Sequence, residues 1–200
     1  MPRSSPALDM TPMVDLAFLL VTFFMLTAQF RPEEAAPVDT PSSRSEDALP
    51  PEGMMTVTVD STGRVFWDLK EKPIRMAVLA AMGERYKIQF SEEEKQKFAM
   101  LSAVGVPVSK LKDFLILDSG TERTAMLRAN RGIPMDSVNN ELEWWVYETN
   151  TIYYRDIASK VKVALKADGN TPYTRVNEVV KTFQKPNIKI NRFKMITDLE

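Results

Sequence analysis

From Met13 to Phe30 the chain reads MVDLAFLLVTFFMLTAQF, eighteen residues in which nearly every side chain is apolar. No other stretch of the sequence is so long and so apolar. As a helix rising about 1.5 Å per residue it covers roughly 27 Å, close to the ~30 Å of a bilayer's hydrocarbon core, so the run reads as a single transmembrane helix over 12–30. Thr11 and Pro12 suit its start: Thr caps a helix, and Pro at the first helical position loses no needed donor. Arg31 and Pro32 end it. One residue does not belong. Asp15 lies near the head of the run, and no Lys or Arg stands between Pro12 and Phe30 to neutralise it. A carboxylate in a spanning helix costs roughly 2.5–3.5 kcal/mol, and the default reading of such a residue is functional. Asp15, Thr22 and Gln29 recur every seven residues, which on a helix drifts only ~20° per step, so they form one thin polar stripe. Such a stripe suits a protein surface or water rather than lipid.

The remaining composition narrows the chemistry. The chain has 200 residues, room for one span and one modest further domain, and a formal net charge of −1, which gives nucleic-acid binding no support. It has no Cys and no His, so disulfides, thiolate metal sites, a Cys nucleophile and the commonest general base are all absent. No phosphate-binding glycine loop, nucleophile elbow or HExxH motif occurs. The reading is therefore of a protein that is not an enzyme and uses no cofactor or metal, in which proton chemistry falls to carboxylates, Lys or Tyr.

Residues 1–11 form a short tail expected to face the cytoplasm, because the segment after the helix is acidic. A cleavable signal peptide is a rival reading of the apolar run, although the run exceeds the usual 7–15-residue core of such a peptide and has an acidic residue at its head. Residues 31–53 hold five Pro and almost no large apolar side chain, the pattern of a flexible linker. Extended, its 23 residues reach roughly 75 Å.

From Met54 the pattern is that of strands. Met55–Val59 alternates, Asp60–Gly63 is a turn and Arg64–Trp67 returns, a hairpin. Ile74, Val78, Met82 and Tyr86 predict a helix over 74–86. In the middle, Ser91 and Glu94 form a capping box for a helix carrying Phe98, Leu101 and Val104 and ended by Pro107. Lys110–Leu117 predicts a short helix, and Ser137 caps another through Val138, Leu142 and Trp145. Trp144, Trp145, Tyr147, Tyr153 and Tyr154 are read as core packing. Val161–Leu165 alternates as a strand, and Thr171 and Pro172 open a helix with Tyr173, Val176, Val179, Val180 and Phe183 on one face. Lys185–Asn187 breaks it, and Ile190–Ile196 returns as a strand. The expected fold is a single N-terminal transmembrane helix followed, over 54–200, by a small α+β domain with helices packed on one mixed sheet and a mostly helical insertion at about 87–159.

These residues carry a resemblance. LDMTPMVDLAFLLVTFFML resembles the signature of the ExbD/TolR family, Thr-Pro, two residues and then an Asp opening a single transmembrane helix, with Thr11, Pro12 and Asp15 at those positions. VKVALKADGNTPYTRVNEVVKTFQ is similar to the family's periplasmic domain, with Lys166, Ala167 and Asp168 at the turn before its helix. The resemblance covers 8–30, 54–86 and 160–200, while 87–159 looks like the insertion of ExbD-like proteins of the Bacteroidetes type. It implies a subunit of an inner-membrane motor: a self-dimer whose helices sit in a ring of ExbB-like subunits, with proton flow through Asp15 doing work on a TonB-like or TolA-like transducer, some relatives also meeting peptidoglycan. Thr22 and Gln29 are a supporting polar stripe by position. One charge crossing 100 mV is worth roughly 2.3 kcal/mol, comparable to the cost of placing a carboxylate in the span. The alternatives are TolR-like envelope maintenance and a single-pass anchored periplasmic binding module with no proton role.

Overall fold

The structure, a computed structural model, describes residues 11–27, 53–117, 120–136 and 139–197. The chain divides into two units at Pro32. In the first, the described element is helix α1, Thr11–Thr27.

The second unit is a four-stranded sheet with helices packed against it. Strands β1 (Met54–Val59) and β2 (Val65–Leu69) form the expected hairpin, antiparallel with Val57 opposite Trp67. Its turn is made by Asp60, whose Oδ1 accepts from Thr62 N, Thr62 Oγ1 and Arg64 N, and by Gly63 at φ +79°, a conformation natural to Gly. Strand β3 (Lys162–Ala167) lies parallel to β1, and β4 (Lys194–Thr197) parallel to β3, giving the order β2-β1-β3-β4. Residues that face each other across a ladder share a side of the sheet. Met55, Val57 and Val59 therefore join Leu69, Trp67 and Val65 on one hand and Val163, Leu165 and Ala167 on the other in one continuous buried apolar face.

Helix α2 (Lys72–Tyr86) buries Ile74, Val78 and Met82 as its spacing predicts. Helix α7 (Tyr173–Phe183) buries Val176, Val179 and Phe183, but Tyr173, expected on the same face, is 78% exposed at the first helical position. Strand β4 is shorter than expected. Lys189 turns the chain at φ +52°, Ile190 N bonds back to Phe183 O, and the Phe193 ring meets Phe183 edge-on, so Ile190 and Phe193 pack on the end of α7 before the strand begins.

The span 87–159 is mostly helical, as expected: α3 (Glu92–Met100), α4 (Val108–Ile116), α5 (Gly120–Ala129) and α6 (Glu141–Ile157). The Ser91–Glu94 capping box forms in both directions. The helix it opens does not run to Pro107. It ends at Met100, and Val104 is extended, exchanging two 2.8 Å backbone bonds with Trp67 on the outer edge of β2. Gly105 beside it admits the Phe66 ring, which would lie 2.2 Å from a Cβ there. A sheet edge outcompetes another turn of helix because it satisfies backbone groups on both partners. Pro107 instead precedes α4 as its cap residue. Helix α5 was not foreseen. Helix α6 takes Asn140 as its cap, the side chain accepting from Glu143 N, while Ser137 and Val138 lie outside the described residues.

The insertion is not a separate body. Trp145 of α6 packs 5.0 Å from Trp67 of β2 and 5.8 Å from Phe98 of α3, all three almost completely buried. Together with Ile133, whose N–H bonds Val65 O, the insertion covers the β2 edge of the sheet. The aromatic residues read as packing divide accordingly: Trp145 and Tyr153 are core, Trp144 and Tyr147 half-buried, and Tyr154 exposed.

Candidate functional site

Helix α1 carries the residues that the sequence singles out. It begins at Thr11, one residue before the expected start, with Pro12 in its first turn. Its 17 residues cover about 25 Å. No helix among the described residues is long and apolar enough to cross a membrane; residues 28–30, which complete the apolar run, lie outside them. Every described side chain of α1, from Pro12 to Leu26, is exposed within the chain, including Leu16, Phe18, Leu20, Phe23 and Phe24 at more than half of their surface. A helix whose exposed side chains are mostly apolar, with Asp15 and Thr22 as exceptions, is the pattern of an element covered by lipid or by other chains.

Asp15 is exposed on this helix. Thr22 lies two turns further on, on the same face, about 10 Å along the axis, so the two do not form one hydrogen-bonded site. The Thr22 hydroxyl donates to its own helix, with Phe18 O at 2.9 Å and Leu19 O at 3.0 Å. Its proton is thus engaged, and what it offers outward is an acceptor lone pair. Gln29 lies outside the described residues. Among the described residues no three His, Cys, Asp or Glu side chains gather as a metal site would require.

The second unit holds two buried charges that sequence reasoning missed. Arg75 of α2, whose side chain is only 3% exposed, pairs with Asp68 of β2 at 2.8 Å and donates to Leu69 O at 3.0 Å. Its guanidinium lies over the rings of Trp67 and Phe98, 5.7 and 5.3 Å from their centres. Burial pushes the Asp68 carboxyl above its usual range, and Arg75 opposes this. The available signal was Arg75's position among Ile74, Val78 and Leu79, since a cation in an apolar helix face needs a partner. Glu141, at the start of α6, is also buried. It accepts from Val108 N at 2.8 Å, at the head of α4, and from Asn139 Nδ2 at 3.2 Å. Burial raises its carboxyl, and those two bonds hold it back. The Arg75–Asp68 pair ties α2 to β2 beside Phe98 of the insertion, and Glu141 ties α6 to the head of α4 within the insertion.

Residues 1–196 match the family model described as ExbD: Biopolymer transport protein ExbD/TolR. No curated protein and no solved structure matches the chain. With Thr11, Pro12 and Asp15 heading an apolar helix, an α+β unit behind it and a match over nearly its whole length, the chain belongs to the ExbD/TolR family.

Proposed function

We propose that this protein is the proton-coupled subunit of an inner-membrane motor of the ExbB/ExbD type, with α1 and residues 28–30 crossing the membrane, the N-terminus in the cytoplasm and residues 54–200 in the periplasm. Asp15 takes up and releases the proton, and the periplasmic unit passes the work to a TonB-like transducer that energises outer-membrane transport. A ring of ExbB-like subunits and a second copy of this chain cover α1. The observation that carries the reading is Asp15 itself: a carboxylate behind Thr11 and Pro12, with no Lys or Arg from Pro12 to Phe30, on a helix whose exposed side chains are mostly apolar. A mere tether gains nothing from that residue and carries its insertion cost.

The test is growth on a nutrient whose uptake requires a TonB-type system, comparing wild type with Asp15→Asn at matched protein levels and matched co-purification with the ring subunit. The substitution keeps size and shape and removes the titratable proton. Loss of growth with the complex intact supports the reading. Normal growth, with envelope integrity under detergent stress also normal, refutes a proton role; normal growth with a fragile envelope transfers the same proton role to TolR-like service.

A further inference from the structure

The linker reaches the sheet at Gly53, whose backbone N–H and C=O are both engaged. Gly53 N donates to a carboxylate oxygen of Glu71, and Gly53 O accepts from Lys162 N at 2.8 Å at the start of β3. Glu71 stands at the cap position of α2, yet its side chain does not cap that helix; it reaches to Gly53 instead. Gly53 is buried at φ +76°, and a Cβ there would lie 2.7 Å from the hydroxyl of Tyr153, a residue of the inserted helix α6 that is 7% exposed. Four segments thus close on one residue: β1, the head of β3, the cap of α2 and the insertion.

The strand that begins there is an interior one, paired with β3 along its whole length and with β2 from Met55 to Val59. Its ladder with β3 is parallel, from Met54 opposite Lys162 to Val59 opposite Ala167. Tension applied at the head of β1 and resisted at the far end of β3 acts along the strands. All the ladder bonds then share the load and must fail together, whereas tension at the same end of both strands opens them one at a time. Evenly spaced parallel bonds suit the first geometry.

We propose that Gly53, Glu71 and Tyr153 form a tension-bearing anchor, through which load on the linker enters the unit along β1 in shear, and that bracing this anchor is a role of the 87–159 insertion. The proposal rests on the motor reading, in which the helix and the periplasmic unit do work on each other through residues 31–53. Glu71 and Tyr153 are positioning residues: they hold the entry point so that load runs along the ladder and does not pry β1 from its neighbours.

The absence of native Cys permits site-specific handles on the detergent-solubilised full chain. In one pair, Glu52→Cys with Asn170→Cys, the load spans opposite ends of β1 and β3. In the other, Ser61→Cys with Asn170→Cys, it acts at one end of both. Optical tweezers read the rupture force in each. The expected result is a several-fold higher force across opposite ends, lowered by Glu71→Ala and by Tyr153→Ala and restored when Glu71→Gln returns an acceptor, while the same-end force stays at the wild-type value. Equal forces in the two geometries overturn the proposal, as does a Glu71→Ala effect of the same factor in both, which marks only a loss of general stability. The same-end force also reports whether each variant is folded. A failed anchor with growth still lost in Asp15→Asn removes this inference alone; a strong anchor with Asp15→Asn normal in both growth and envelope integrity removes the motor reading and leaves the anchor as a mechanical property of the unit.

Discussion

The Arg75–Asp68 pair predicts an asymmetry between its two halves. The Arg75 side chain is 3% exposed and that of Asp68 is 29% exposed. Asp68→Asn leaves a guanidinium enclosed by Trp67 and Phe98 with no counter-charge, and removing one partner of a buried pair costs about 3–5 kcal/mol. Arg75→Met leaves a carboxylate that still reaches water. It forfeits the bonds to Asp68 and Leu69 and two contacts with aromatic rings, together worth roughly 2–5 kcal/mol. It also removes Nε and Nη2, both buried without an acceptor, which relieves roughly 1–3 kcal/mol each. These terms nearly cancel, so Arg75→Met should cost less than about 2 kcal/mol. In a 200-residue chain, at roughly 2–4 °C per kcal/mol, Asp68→Asn should lower the melting temperature by roughly 6–20 °C and Arg75→Met by far less. The double variant should melt near Arg75→Met. Urea titration followed by Trp fluorescence checks the free energies, since Trp67 lies against the pair. Equal losses in the two single variants, or a larger loss in Arg75→Met, would show that the guanidinium is held by packing and not by its charge partner.

Glu141→Gln should flatten the dependence of stability on pH. The folded protein holds this proton more tightly than the unfolded chain does, so the stability it contributes is fully present below its usual value of 4.5 and is lost as pH rises through the raised folded value. Facing it are Val108 N from α4, Asn139 beside it and the Tyr86 phenol from α2, itself pushed up to about 12. Melting midpoints of the two forms should therefore diverge in favour of Gln from pH 4.5 upward, and parallel curves would refute the assignment. Trp145→Ala should cost about 3–5 kcal/mol by opening the stack with Trp67 and Phe98. It should speed limited proteolysis within 87–159 more than within 54–86, whereas uniform acceleration would mean that the stack does not hold the insertion to the sheet.

Sequence reasoning worked where the cause of a structure lies within a few residues of its effect. The hairpin is written in the alternation of Met55–Val59 and the chemistry of Asp60 and Gly63; α2, α7 and the Ser91 capping box are written in spacings of three and four residues. The resemblance carried by Thr11, Pro12 and Asp15 was legible for the same reason, since all three belong to one turn and a half of one helix. Tertiary structure decided whatever depends on a distant partner. Val104 carries the same apolar side chain whether it ends a helix or pairs with Trp67, and only the open edge of β2 selects the second. Tyr173 fits the helical spacing but stays exposed, and Ile190 and Phe193 fit a strand but are drawn onto the end of α7 first. Arg75 is tolerable in the core only because Asp68 waits on strand β2. Periodicity fixes which way a side chain points along its own element, and says nothing of what stands opposite; the burial, pairing and charge compensation that stabilise this unit are all settled opposite.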